Sequence, residues 1–527
     1  MMRATFFLVL SAMLPAAAQA QSLDRFIPID LDVPINGVFP TLTIAALDSG
    51  PVAVFGPEGT ITSWSSQRLG DLGWRSFDAT GLPIGGFTLP ATAGVSDMVP
   101  YGTSFYAVGP YKDSLQFPGH PQLSTAGQLD PIGYYLCRIE LDGTVSWVKD
   151  AEDIGLGSTQ AIAVGPGGVL HLGAWDFINS VVVRVDSNGT LIDTWPLAGV
   201  GVVSDIAVNA SGNVAVAGSC MDLVSDFNGT TITNPFTYTI FLARFDANGS
   251  AQHHQIVEDV TCPRPSVALD DAGNAYLSAD ASIPAQVGPF TVTDPAWVYG
   301  EFLVQMDASG TITWLNEPVP GLSLGDAGRA YGRDLVLDPS GGVWQGGLAR
   351  GMNDWGNGIT SATAVPGQQL YFRRVDANGL TQQFVAGDES NFGQTVHSLA
   401  TQGGTALYML GYAYDTLHLA GMEFPAQGYQ LFLTRWSDLN TGIPVSDVTP
   451  SLRVFPNPAS DQITIDLSTL EGTVSLEVFD VQGRVVVQNQ SRGGVLCVME
   501  LSGLRSGVYL LHVQGEGRRS VLPIMKE

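Results

Sequence analysis

Apolar residues in this chain come in short runs broken by glycine, asparagine or aspartate, and from about residue 40 to 445 the runs recur in a fixed order. One unit is an apolar strand, a small turn and a second apolar strand ending in a small residue, as in Ile206-Ala207-Val208-Asn209-Ala210-Ser211-Gly212-Asn213-Val214-Ala215-Val216-Ala217-Gly218. Related copies run Val267 to Ala279, Leu335 to Gly347 and Leu399 to Gly411, with looser ones at Ile162 to Gly173, Met98 to Gly109 and Ile44 to Gly56. A second unit alternates with the first, clearest in Leu242-Ala243-Arg244-Phe245-Asp246-Ala247-Asn248-Gly249 and in Phe372 to Gly379. Its closing glycines at 81, 143, 189, 249, 310 and 379 are spaced by 62, 46, 60, 61 and 69 residues, and a degenerate seventh copy puts Asn440 61 residues later. Strict alternation over seven copies marks a repeat architecture.

Each unit has the chemistry of a β-hairpin. Asp accepts hydrogen bonds from backbone N–H groups of the turn, and Gly or Asn supplies the left-handed residue that a three-residue loop needs. Asp-x-Asn-Gly also looks like the start of a calcium loop, but no acid follows the glycine in a consistent register, so the turn reading is preferred. Two hairpins per repeat give four strands, and seven repeats of about 60 residues predict an all-β, seven-bladed β-propeller over residues 40–445. A parallel β-helix would have shorter coils, and a string of separate sandwiches would not repeat so evenly. With apolar-Arg-apolar-Asp-x-x-Gly intact in several copies, the pattern resembles the SBBP-type seven-bladed propeller repeats of bacterial exported proteins. The Trp after the turn is kept at Trp147, Trp195 and Trp314.

The two ends read as addresses. Arg3 followed by the apolar Ala4 to Leu14 and an A-x-A site at Ala18-Gln19-Ala20 predicts a cleaved signal peptide over residues 1–20, too short to span a bilayer. At the other end come Val454-Phe455-Pro456-Asn457-Pro458, Leu476 to Arg484 and Leu501 to Leu510, each a short alternating strand beside a turn. These blocks, in this order, closely resemble the C-terminal sorting domain of the type IX secretion system in Bacteroidota. That resemblance implies a small Ig-like β-sandwich over residues 453–527 that engages the type IX machinery and is typically removed during export. The residues matching the motif are Pro456, Asn457, Pro458, Asp480, Gly483, Arg484, Gly507, Tyr509 and Lys526. Residues 21–39 then read as a segment leading into the propeller, and 446–452 as a linker, with Pro450 and nearby Pro444 favouring an extended connector.

Charge narrows the partners. With 23 basic and 50 acidic residues the net charge is −27, which disfavours nucleic acid and anionic membrane, both of which need Lys and Arg on phosphate. Four cysteines are too few for a disulfide-built scaffold, although Cys220 and Cys262 fall beside the same blade on the same rim and can form a bridge after export. Cys137 lies within a strand as a small hydrophobe, and the seven histidines form no metal pattern.

Strand order places the tight turns on one rim of the propeller and the long connections, such as 111–132, 220–238, 282–298 and 349–368, on the other. Blade 3 lacks such a loop: 16 residues separate Gly173 from Gly189, against 31 from Gly218 to Gly249. Function is expected on the long-loop rim. The position before each blade's first strand carries Thr43, Asp97, Ala161, Asp205, Ser266, Asp334 and Ser398, a ring at the channel mouth. Asp97, Asp205 and Asp334, with Ser266 and Ser398, can converge on a cation, with oxygen ligands suiting calcium, or on a substrate; the competing reading is that each Asp bonds backbone at the start of its strand. Arg138, Arg184, Arg244, Arg374 and Arg435 precede the second hairpin's turn, where pairing with acids between neighbouring blades or a solvated edge is the preferred reading and anion binding would need them to converge. No cofactor motif stands out. The expected function is a surface-displayed or released binding module for an extracellular polysaccharide or protein. A polysaccharide hydrolase or lyase using the channel acids is the rival, and a structural spacer the third reading. Deletion of residues 452–527 should leave the rest folded but trapped in the periplasm, and efficient secretion of that truncation would refute the sorting assignment.

Overall fold

A computed structural model of the chain describes residues 22–29, 42–57, 71–127, 131–258, 264–281, 284–293, 300–320, 326–330, 332–363, 367–390, 394–414, 416–420, 422–424, 429–437, 454–455, 459–467, 472–479, 485–505, 507–515 and 518–526. The expected signal peptide and the 446–452 linker lie outside them. Seven antiparallel four-stranded blades follow one another; the sheet of blade 3 is extended by Val224–Phe227 and Thr230–Thr233, and blades 5 and 6 are joined by one parallel pair, Gly300 with Ala327. Blade 1 comprises Thr43–Ala46, Val52–Pro57, Leu72–Phe77 and Pro83–Leu89; blade 2, Asp97–Tyr101, Ser104–Lys112, Ile132–Glu140 and Val145–Asp150. Blade 3 comprises Ser158–Val164, Leu170–Trp175, Ser180–Val185 and Leu191–Ala198; blade 4, Val200–Val208, Val214–Cys220, Ile240–Phe245 and Ala251–Val257. Blade 5 comprises Ser266–Leu269, Ala275–Ala281, Gly300–Met306 and Ile312–Asn316; blade 6, Leu335–Leu337, Val343–Arg350, Gln368–Val375 and Thr381–Ala386. Blade 7 takes Gln394–Gln402, Ala406–Tyr414 and Tyr429–Ser437 from its own repeat and its outermost strand, Ser22–Ile29, from the N-terminus. Residues 22–29 are therefore a strand of the last blade rather than a lead-in. The seventh copy has no need of a hairpin turn after its third strand, which accounts for its degenerate Asn440.

The hairpin chemistry is as the repeats predict. Asp186, Asp246, Asp307 and Asp376 each accept, through Oδ1, the N–H groups two and four residues on, at 2.8–3.0 Å. The glycine that closes each loop is left-handed, as at Gly249 (φ 86°). The strand register shifts at that point, which is the bulge a three-residue loop creates.

Both faces of the inner strands are buried, so those strands read as apolar runs, whereas the outermost strands of blades 1, 3 and 4 are mostly exposed or half-buried. In blade 4, Val214 and Val216 pack with blade 3 whereas Ala215 and Ala217 pack with blade 5. Such cores fill every seam in turn, and the ring closes where Ile44, Val52 and Val54 of blade 1 meet Tyr408, Leu410 and Leu431 of blade 7. A polar latch joins neighbouring blades at most seams on the tight-turn rim. Ser76 donates to the Leu141 carbonyl (2.6 Å), Trp147 to Ser187 (3.2 Å), Arg184 to Ala247 (2.8 Å), Arg244 to Asp307 (2.9 Å), Trp314 to Ala377 (3.0 Å) and Tyr408 to Gly50 (2.7 Å). The signature Arg and Trp of the repeat are thus seam residues.

The C-terminal unit is a sandwich of a three-stranded sheet (Val454–Phe455, Gln462–Asp466, Leu496–Glu500) and a four-stranded one (Val485–Arg492, Thr473–Phe479, Gly507–Gly515, Arg518–Lys526). Ile463, Ile465 and Met499 meet Leu476, Val478, Leu511 and Val513 in its core. Removing residues 22–29 leaves Tyr429–Ser437 as an open edge and forfeits a ladder of seven paired residues. The propeller should lose on the order of 5 kcal/mol of stability, at about 1 kcal/mol per net backbone hydrogen bond. Unfolding in denaturant at the full-length midpoint would show that this strand does not hold the ring.

Candidate functional site

The ring position ahead of the first strands is buried in all seven blades. In blades 3, 4 and 7 a β-bulge falls at that position. The glycine that ends the second strand makes room for it: a Cβ on Gly218 would lie 2.0 Å from the Val202 carbonyl oxygen. In blade 4 the bulge accompanies a ring side chain that reaches the next blade, whereas in blade 2 Asp97 does so from a regular strand. Asp97 accepts the amide of its own neighbour Met98 (2.8 Å) and, through Oδ2, that of Ile162 in blade 3 (3.0 Å). Asp205 repeats this with Ile206 (2.9 Å) and Val267 of blade 5 (2.9 Å).

Between the two carboxylates lies Arg333, reaching across the channel from blade 6, with Nη2 2.8 Å from Asp97 and 3.9 Å from Asp205. A guanidinium fills the place a calcium ion would take. Asp334 does not join them. It is fully buried to one side, bound by Arg329 (2.7 Å) and the Ser278 hydroxyl (2.6 Å). Arg329 also holds Ser266 (2.6 Å), while the Ser398 hydroxyl lies 2.9 Å from Nδ1 of His397. The five ring candidates therefore split into a cross-channel pair and separate buried contacts. Burial pushes the Asp205 carboxyl up to about 6, with Arg333 opposing the shift and Asp97 adding to it; burial raises Asp97 as well.

Above this layer the channel mouth opens as a cavity of about 220 Å³, with Thr43, Gln160, Ser204, Arg264 and Arg333 in its wall. Gln160 also lines a second cavity of about 230 Å³ at the rim of blade 3, between Trp175 and Gly201 to Val203. The two cavities adjoin at Gln160, which they share, and together span from the channel mouth to the blade that lacks a long loop. That gap is occupied by a tight aromatic turn. Trp175, Phe177 and Ile178 are exposed (41, 52 and 81%), with the two rings 5.4 Å apart. Both rings lie over Gly157, where a Cβ would come within 2.8 Å of each. Phe177 has φ 71°, a strained conformation for a bulky residue, held by Asp176 accepting the amides of Ile178 (3.0 Å) and Asn179 (2.7 Å). Sequence reading located the gap at blade 3 and overlooked its aromatic lining; an exposed Trp-x-Phe-Ile in a four-residue loop was the available signal.

The remaining candidates have structural settings. Arg138 and Arg184 pair with Glu140 and Asp193, and Arg374 with Asp338, each within its own blade rather than across to a neighbour, because the acid stands on the same strand, an adjacent strand or a turn of that sheet. Cys137 is fully buried and its thiol faces the Ala107 carbonyl. Cys220 is a free, buried thiol, and Cys262 lies outside the described residues. Of the sorting motif, Gly507 pairs with Lys526, and the Tyr509 hydroxyl donates to the Arg505 carbonyl (2.8 Å). Pro456, Asn457, Pro458, Asp480, Gly483 and Arg484 are outside the described residues. Among the described residues, no cluster of three or more His, Cys, Asp and Glu could hold a metal, and no helix is long and apolar enough to cross a membrane.

Residues 453–527 match the family described as the secretion system C-terminal sorting domain. That domain implies secretion by the type IX route. An endo-acting ulvan lyase from Formosa agariphila is 36% identical over 62 residues, which is 12% of this chain and 12% of that protein. Among solved structures, the Neurospora crassa Pan2 WD40 domain aligns over 80% of this chain and 98% of its own at 10% identity, with a TM-score of 0.39. A GH43 protein, BlXynB from Bacillus licheniformis, aligns over 76 and 87% at 9% identity, with a TM-score of 0.28. The propeller assignment rests on the strand topology itself.

Folding lifts the Asp205 carboxyl from about 3.8 to about 6, so its contribution to stability is full below the lower value and is lost as pH rises through the upper one. Between pH 4 and 7 the wild type should lose on the order of 3 kcal/mol more than Asp205→Asn. Parallel pH–stability curves in denaturant titrations would contradict the shifted carboxyl.

Proposed function

We propose that this protein is a secreted, non-enzymatic glycan-binding propeller that holds a polysaccharide chain in the cleft between blade 3 and the channel mouth. The Trp175–Phe177 turn carries the reading. Strain at Phe177 costs about 1–3 kcal/mol, and the turn spends it on showing aromatic surface to water. Sugar rings present C–H faces that pack on such rings, and hydroxyls that suit polar walls like Ser158, Gln160 and Ser180. A spacer has no use for a strained, exposed aromatic turn.

Catalysis by the channel acids is the weaker reading. A carboxylate is a weaker general base when its oxygens already accept hydrogen bonds and a cation stands beside it. Both oxygens of Asp97 and of Asp205 accept backbone amides, and Arg333 sits between the pair. The 62-residue likeness to the ulvan lyase is far shorter than the propeller, so that protein's activity is not carried over. The sorting tail delivers the module outside the cell, where it is displayed on the surface or released.

A glycan array and a depolymerisation screen on the full-length secreted protein separate these readings. Binding without chain cleavage is expected, with Trp175→Ala weakening it by roughly tenfold, the loss expected for one buried aromatic contact. Steady depolymerisation by the wild type, or undiminished binding by Trp175→Ala, would overturn the proposal.

A further inference from the structure

Arginines of the propeller are mostly committed to structure: Arg329 to Asp334, Arg333 to Asp97, Arg373 to Glu301 and Arg374 to Asp338. Arg264 differs. Its backbone carbonyl accepts from Arg329, but its guanidinium makes no hydrogen bond or ion pair among the described residues. It is exposed within the channel-mouth cavity, and surrounding protein together with the nearby Arg329 pulls its pKa below the usual arginine range. Such a charge stands where an anion would relieve both effects. Asp97 and Asp205 share the cavity wall but are engaged by backbone amides and by Arg333, so Arg264 is the charged group of the wall with no side-chain partner of its own among the described residues. Two further polar groups of the same wall lack partners: the buried Ser204 hydroxyl and the exposed Gln160 amide.

We infer that the cleft selects acidic polysaccharides, with a carboxylate or sulfate substituent of the bound chain pairing with Arg264 while another sugar of the same chain rests on Trp175. The inference builds on the glycan-binding reading and adds the charge class of the ligand. It runs against the overall field of the protein, which at −27 repels polyanions, so the attraction is local and must come from contact rather than steering. Arg suits the task because its planar fork meets carboxylate and sulfate oxygens in pairs.

Calorimetric titration of the full-length secreted protein with alginate, carrageenan and neutral dextran tests it. Alginate answers for carboxylate and carrageenan for sulfate. At least one acidic chain should bind about tenfold or more tighter than dextran, as a charged hydrogen-bonded pair implies. Arg264→Gln should erase that difference without changing dextran affinity, and Arg264→Lys should keep most of it. Trp175→Ala should weaken acidic and neutral chains alike. Equal affinity for all three polymers, or an acidic preference that survives Arg264→Gln, overturns the selectivity and leaves glycan binding standing. Failure of every polymer to bind overturns both.

Discussion

Ring closure governs this molecule, because a four-stranded blade buries both of its faces only if a neighbour stands on each side. Six seams follow from the chain's own order, whereas the seventh must join blade 7 to blade 1. Three contacts do so: the apolar core shared by Ile44, Val52, Tyr408 and Leu410, the Tyr408 hydroxyl on the Gly50 carbonyl, and the N-terminal strand laid against Tyr429–Ser437. The latches on the tight rim work within this frame. Each pairs a turn carbonyl with a side chain of the preceding blade, so that turn and seam are stabilised together.

The same constraint explains why residues with functional chemistry turned out to be structural. A buried carboxylate is costly unless it is hydrogen-bonded and paired. Asp97 and Asp205 meet that cost by stapling the next blade's first strand, and Arg333 neutralises them from across the channel. Asp334 answers the same demand within blade 6 through Arg329. The acids at the base of the channel are therefore largely committed to backbone amides and to Arg333, although they still line the cavity.

Periodicity made the fold legible. The Asp-x-x-Gly turns and paired apolar runs specify hairpins locally, and their alternation counts the blades. What periodicity could not convey was anything without a periodic partner. Ser22–Ile29 belongs to a repeat more than 400 residues away in sequence, and Arg333 precedes a motif position that drew attention to Asp334 instead. The three ring acids occupy equivalent sequence positions, yet one is pulled aside by an arginine with no counterpart in other blades. Equivalent positions share backbone geometry; their side-chain fate depends on the unrepeated neighbour.

Blade 3 is informative for the same reason. A repeat protein acquires function by departing from its repeat, and here the departure is a shortened loop rather than an added one. Deleting a loop without consequence would leave a polar turn of low strain, such as the Asp-x-Asn-Gly turns used elsewhere in the chain. Instead the turn holds Phe177 left-handed, fixes it with Asp176, and seats both aromatic rings on Gly157. None of those contacts helps close the ring, since the rings face outward and the seams of blade 3 are already filled by Val182, Trp195 and Leu172. A strained turn that the seams do not require, opening beside a cavity, is the departure from the repeat on which the proposed binding role rests.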